Sequence, residues 1–245
     1  AGARQDITRG RADQQQRLAE KGQADTGEME RLLAATDRME KQYRHLPLST
    51  LPVLQESEAA KYYFDWLAHF TNDAYWQATA INRRYDCIKT PAYNVGGWYD
   101  LFLHGTLENF VRMGKEGGSE AARKGQRLLV GPWAHGNFSG EYPGRRFGYA
   151  TAIDMVDHTG LQLQFFGRHL KGEDNGFDRE PPVRIFVMGE NRWRSEQAWP
   201  LERTEYIPWY LHSEGKAHSS GGALSPEAPN QEPRDVYLYD PRDPV

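Results

Sequence analysis

Of the 245 residues only one is cysteine, Cys87, so the sequence offers neither an internal disulfide framework nor a cysteine-based zinc site. No apolar run approaches the roughly 18 residues that a bilayer-spanning helix needs. Charge of one sign is not in excess either: 30 Lys and Arg face 34 Asp and Glu, a formal net charge of −4. That balance gives no basic field for nucleic acid, and no polybasic patch marks a membrane surface. The first residues, Ala1-Gly2-Ala3-Arg4-Gln5-Asp6, lack the apolar core of a signal peptide. Any such peptide would lie upstream, so cytoplasmic and periplasmic or secreted locations both stay open. Internal repeats are absent. What the chain does have is 38% hydrophobic residues and seven Trp, enough for a sizeable core.

The residues before 45 are rich in Gln, Arg, Glu and Ala and contain no Pro. Met29, Leu32, Leu33 and Met39 recur at helical spacing, which predicts two amphipathic helices broken near Gly22–Gly27, a disordered tail being the alternative. After a proline-punctuated connector, Tyr63, Trp66, Leu67 and Phe70 form an i, i+3, i+4, i+7 stripe. The pattern changes at Ile88–Gly97, a short strand entered through Pro91 and left through two Gly. Leu103, Leu107, Phe110 and Val111 mark a helix that Gly114 could end. Arg127–Gly131 is the apolar run of a buried parallel strand, and about Asp157 to Lys171 predicts a helix, with Leu161, Phe165, Phe166 and Leu170 inward and Gly172 as its stop. Strand, helix, strand, helix with short loops reads as a parallel α/β sheet. Beyond Pro181-Pro182, Val183, Ile185 and Val187 alternate with Arg184 and Phe186, and further strands are predicted near Tyr206–Leu211 and Val236–Tyr239. The expected divisions are a helical region over 1–86, a parallel α/β region over 87–180, and the start of an all-β module over 181–245.

Two residues follow the predicted strands. Asp100 stands at the end of Val95-Gly96-Gly97-Trp98-Tyr99-Asp100, and His135 at the end of Val130-Gly131-Pro132-Trp133-Ala134-His135. With one helix between them, both loops would leave the same edge of a parallel sheet, where ligands bind in open α/β folds. A carboxylate that fixes the tautomer of an imidazole, which in turn takes a proton from a serine hydroxyl, is the chemistry such a pair would serve. Spacing alone leaves the ordinary reading open, since an Asp after a strand is often a helix N-cap and a loop His is often just solvated.

Those two segments resemble the acid and histidine loops of the cocaine-esterase-like (CocE/NonD) hydrolases, kin to the X-Pro dipeptidyl peptidases. So do Phe166–Gly172, Pro181–Gly189 with Asn191–Arg194, and Tyr237–Pro241, in the family's order. The resemblance implies an α/β-hydrolase domain with an inserted helical cap, followed by a jelly roll. It implies Asp100 as triad acid and His135 as triad base, with Phe102 and Trp133 lining the acyl pocket, ordinary packing being the alternative for both aromatics. The family's nucleophile motif, Gly-x-Ser-x-Gly, is missing. The nearest match, Gly117-Gly118-Ser119-Glu120-Ala121, lies in a charged loop after a helix and is rejected. The nucleophile and oxyanion-hole Tyr are therefore expected upstream of Ala1, outside this chain. Relatives that cleave α-amino acid esters carry carboxylates two and three residues after the acid. Here those places hold Phe102 and Leu103, which suits an apolar acyl group, because an ammonium there would lose water without gaining a partner.

The expected activity is a serine hydrolase of acyl esters or amides, inactive as this chain alone. An X-Pro dipeptidyl-peptidase-type peptidase and a β-lactam acylase-like amidase are the enzymatic alternatives; an inactive fragment or degenerate homologue is the non-enzymatic one. No cofactor and no metal is expected. Glu173-Asp174-Asn175-Gly176 lacks the spaced ligands of a calcium loop and reads as a turn, and the other histidines show no metal spacing. Asn137-Phe138-Ser139 is a sequon that matters only in a glycosylating secretory pathway. The expected partner is a small-molecule ester or amide, with a homo-oligomer left open.

Overall fold

A computed structural model describes residues 26–36, 39–219 and 221–242. The chain divides into a unit ending at Arg83 and a unit beginning at Arg84. The first is helical: α1 (Thr26–Thr36), α2 (Met39–Gln42), α3 (Pro52–Gln55), α4 (Lys61–Ala68) and α5 (Ala74–Gln77). The helix expected before Gly22 lies outside the described residues. Within this unit the predicted aromatic stripe is only partly helical, because α4 stops at Ala68 and leaves Phe70 exposed. Trp66 turns instead toward Tyr62 and Trp76, at centroid distances of 4.9 and 5.8 Å.

The second unit is built on a four-stranded mixed sheet of order β1-β2-β5-β6: β1 is Tyr93–Tyr99, β2 Arg127–Ala134, β5 Val183–Val187 and β6 Arg192–Glu196. The first three run parallel and β6 closes the edge antiparallel. Two small ladders lie outside it: β3 (Glu141–Tyr142) with β4 (Arg145–Arg146), and β7 (Tyr210–Ser213) with β8 (Gly222–Ser225).

Helices cover both faces of the sheet, which is why β2 is apolar from Leu128 onward and buried over seven of its eight residues. On one face Phe110, from α6 (Leu103–Glu116), meets Leu128, Val130, Val183 and Ile185. On the other, Leu129, Trp133 and Val156 form a core joined by Leu161 from α8 (His158–Lys171). Each fully buried aliphatic side chain contributes about 1.5–3 kcal/mol relative to exposure. Gly172 ends α8 at φ 71°, the stop that the sequence predicts, and Asp157 caps its start by accepting from Gly160 N. Gly114 does not end α6; the helix runs to Glu116 and stops at Gly117, whose N–H reaches the Met113 carbonyl. Phe165 is buried as expected, but Phe166 and Leu170 are exposed.

The boundary at 181 needs correction. β5 does not begin a separate sandwich but pairs with β2, Val183 opposite Leu128 and Ile185 opposite Val130. Being central, it buries both faces: Phe186 is as enclosed as Ile185, so the alternation of one buried face is lost. The strand expected at Tyr206–Leu211 is displaced to β7, and among the described residues Val236–Tyr239 has no ladder partner. Among the described residues no helix is long and apolar enough to cross a membrane.

Candidate active site

The register of β1 and β2 makes Asp100 and His135 neighbours. Gly97 pairs with Gly131, the register then slips by one, and Tyr99 faces Ala134; the next residue on each strand is Asp100 and His135. Such bulges bend a strand end and re-aim its side chains. The close approach depends on Gly97, where a Cβ would collide with the backbone of Trp133.

Asp100 is fixed by three hydrogen bonds at the start of α6. Its N–H donates to the Gly97 carbonyl (3.0 Å), its carbonyl accepts from Leu103 N (3.1 Å), and Oδ1 accepts from Phe102 N (2.8 Å). Oδ2 is left to face His135 Nδ1 at 3.4 Å. That separation is longer than a well-formed charge-assisted bond, as is common in catalytic pairs without substrate. The carboxylate is largely enclosed, with 16% of its side chain exposed, whereas the imidazole is 60% exposed. Nδ1 thus faces the acid, and Nε2 has no partner among the described residues.

His135 occupies a tight turn. Ala134 and Asn137 exchange both backbone hydrogen bonds at 3.0 Å, and Gly136 between them adopts φ 75°, the left-handed region that glycine reaches without cost. Asn137 braces the turn from behind, its Oδ1 accepting from Ser139 N (3.0 Å) and Ser139 Oγ (2.7 Å). Tyr142 Oη donates to the Pro132 carbonyl at 2.9 Å, tying the β3–β4 ladder to the end of β2. Neither brace was foreseen, although the sequon singled out Asn137 and Ser139 for another reason.

Phe102 sits over the pair. Its ring meets the His135 imidazole edge-on, centroids 5.0 Å apart at 80°, and its side chain is exposed. Trp133 does not join them. It is fully buried, its indole donates to the Thr151 carbonyl at 2.8 Å, and it packs against Trp193 and Phe138. Its place as an acyl-pocket residue is therefore withdrawn: with no exposed surface it cannot meet a substrate, and packing is its role. Ser119 is equally committed. Its Oγ caps α7 (Glu120–Lys124) by accepting from Ala122 N and donates to the Lys89 carbonyl at 2.6 Å. No group of three metal-ligating side chains is found among the described residues. In Glu173–Gly176, Asn175 Nδ2 donates to the Gln164 carbonyl (2.7 Å) and its Oδ1 accepts from Phe177 N (3.2 Å).

A parallel sheet between helices, with an acid and a histidine at adjacent strand ends, is an α/β-hydrolase-like arrangement. Comparison with known proteins narrows the class: the X-Pro dipeptidyl-peptidase (S15 family) profile matches residues 4–137, and the X-Pro dipeptidyl-peptidase C-terminal non-catalytic domain matches 175–244. The chain belongs to the X-Pro dipeptidyl-peptidase (S15) family. It is 41% identical over 179 residues to the cocaine esterase of Rhodococcus sp. (strain MB1 Bresler), an alignment covering 72% of this chain and 30% of that protein. The chain thus spans less than a third of that relative's length. Among solved structures, an aminopeptidase from a marine sediment Thaumarchaeota archaeon superimposes with a TM-score of 0.60 at 22% identity, over 78% of this chain and 30% of that one. An alpha-amino acid ester hydrolase does so with a TM-score of 0.52 at 24% identity, over 71% and 28%. These two likenesses speak to fold alone.

Proposed function

We propose that this chain supplies the acid and the base of a serine hydrolase that cleaves acyl esters, or amides, with an apolar acyl group. The reading rests on one observation, the Asp100 Oδ2 to His135 Nδ1 approach of 3.4 Å at adjacent strand ends, with Nε2 turned away from the acid. In this role His135 takes the proton of a serine hydroxyl and returns it to the leaving group, while Asp100 holds the tautomer and stabilises the imidazolium. The nucleophilic serine is read as coming from elsewhere in the full-length protein, a reading supported by the lack of a Gly-x-Ser-x-Gly motif here and by the commitment of the nearest match, Ser119, to a helix cap. Phe102 carries the acyl preference: an exposed ring against the imidazole offers an apolar wall and no counter-charge for an ammonium. Residues after β6, with the β7–β8 ladder, are read as the start of the β-sandwich that the C-terminal family match points to.

In the full-length polypeptide, Asp100→Asn is expected to lower kcat on p-nitrophenyl butyrate by roughly 10⁴, and His135→Ala by a similar order. More than a tenth of wild-type activity in either variant would show that other residues do the work. Phe102→Glu is expected to lower kcat/KM for apolar acyl esters about tenfold or more, as a carboxylate that must lose water against the acyl group replaces an apolar contact. A wild-type enzyme that prefers phenylglycine methyl ester to phenylacetate methyl ester would contradict the apolar reading. The S15 family match makes an X-Pro dipeptidyl-peptidase activity the second reading, and cleavage of Ala-Pro-p-nitroanilide faster than of butyrate esters would favour it.

A further inference from the structure

The opposite edge of the sheet holds a second polar cluster. Arg127 opens β2, eight residues before His135, which at about 3.3 Å per residue puts it roughly 25 Å from the acid–base pair. The side chain is only 8% exposed, yet no carboxylate among the described residues pairs with it. Nη1 donates to the Gln126 carbonyl (2.9 Å), Nη2 to the Phe177 carbonyl (3.2 Å), and the guanidinium lies 4.7 Å over the Phe177 ring. Its Nε is buried with no acceptor among the described residues. Two carbonyls and a ring are a poor exchange for water around a full charge, and buried charges are ordinarily paired. Burial accordingly pushes its pKa down, against the weaker pull of Asp178, Tyr93 and Glu180.

Arg127 lines a cavity of about 230 Å³. A second guanidinium, Arg184, shares it; this one stacks on Trp193 at 5.2 Å and likewise has no ion pair among the described residues. Tyr93, whose hydroxyl burial raises to about 12, and Gln164 add hydrogen-bonding groups. Glu180 is the one carboxylate in the lining, and it offsets one of the two positive charges. Leu161 and Phe177 supply an apolar side. The volume is below the roughly 300–1,000 Å³ of sites for drug-sized ligands, which suits a small ligand. One remaining positive charge and a narrow aromatic wall together specify a small, singly charged acid with a flat body.

We propose that this cavity binds a small organic monocarboxylate, the carboxylate between Arg127 and Arg184 and the body against Phe177 and Leu161. The site stands apart from the acid–base pair and does not depend on the hydrolase reading. It is tested by calorimetric titration of the full-length polypeptide with benzoate, the uncharged benzamide and inorganic phosphate. Benzoate is expected to bind, and to bind at least tenfold more tightly than either of the others, since benzamide lacks the charge and phosphate lacks the body. Arg184→Gln should weaken benzoate roughly tenfold, while His135→Ala should leave its affinity unchanged. Arg127→Met should abolish binding; because that buried change can also prevent folding, Arg184→Gln and Tyr93→Phe, a threefold or smaller loss, provide the independent readout. The proposal is overturned by absence of benzoate binding, by equal affinity for benzamide or phosphate, by an unchanged affinity in Arg184→Gln, or by loss of binding in His135→Ala, which would place the ligand at the other edge.

Discussion

Within the second unit, the sheet and the segment that follows it are made of similar residues but organised by different forces. In β2 seven of eight residues are buried, and in β8 none is. Leu128, Leu129 and Val130 are held by desolvation from both faces, whereas Leu211, Leu224 and Leu238 are 81%, 59% and 91% exposed. The β7–β8 ladder and the chain after it are instead joined by polar side chains: His212 to Glu232, Ser213 to Asp235, Ser225 to Glu227. Apolar content alone therefore does not make a core. Layers on both sides do, and only the sheet has them.

The sharpest test of that contrast is at glycine. Gly97→Val should cost about 3 kcal/mol or more in chemical denaturation, because the new side chain has to displace the Trp133 backbone between paired strands. Gly144, between β3 and β4, has open space around it, and Gly144→Val should stay within about 0.5 kcal/mol. Equal losses at the two positions would mean that β1 and β2 are not the rigid pair on which the acid–base geometry depends.

A smaller effect separates leucines of the two regions. Leu129→Ala should destabilise by about 2–5 kcal/mol, the transfer term plus the cavity left between Trp133 and Val156. Leu224→Ala, on the exposed ladder, should change stability by less than about 0.5 kcal/mol. If Leu224→Ala proved as costly, something in the intact protein covers that ladder, as the match to a C-terminal domain suggests.

The same division decides what could be read from sequence. Where burial dictates residue type, the pattern was legible: the β2 run, the α8 stop at Gly172, and the strand-end positions of Asp100 and His135 all lie where the apolar period and the turn residues put them. Position along a strand is a local property, and so was visible. Which strands share a sheet is not, and Pro181-Pro182 looked like a boundary although the strand after it completes the sheet beside β2. Parity failed for Trp133 for a related reason. Counting two residues back from His135 places it beside the site, but the β1–β2 register shift and the turn at Gly136 send the two side chains to different surroundings. Arg127 read as part of an apolar strand, and only its enclosure without a counter-ion distinguishes it. The Val236–Tyr239 run has the composition of a strand, but nothing in the described residues pairs with it, and a strand exists only with its neighbour.

The subtlest expected effect is a pH dependence confined to the polar region. Glu232 Oε1 lies 2.5 Å from His212 Nδ1, and its hydrogen bond raises the His212 pKa above the ordinary value of 6.5, against a smaller opposing desolvation. The same bond lowers Glu232 below its ordinary 4.5. For the histidine, a folded pKa above the unfolded one means that stabilisation is complete below pH 6.5 and is lost as pH rises through the raised folded value. For the glutamate the sense is reversed: its contribution is complete above 4.5 and is lost as pH falls through the depressed folded value. The contact is thus strongest between those limits. It should weaken on the alkaline side while Leu128–Val130 in the middle of β2, which carry no titratable side chain, keep their protection. Hydrogen exchange compared at a pH below 6.5 and at one about two units higher, corrected for intrinsic rates, should show protection of residues 210–213 falling at the higher pH and that of 128–130 holding. Glu232→Gln should remove the difference, because an amide keeps a hydrogen bond but not the charge that raises the histidine. Because the pair is solvated and screened by salt, the change should shrink in 0.5 M NaCl. A loss of protection of equal size in both regions would show that the ladder and the sheet unfold as one cooperative unit.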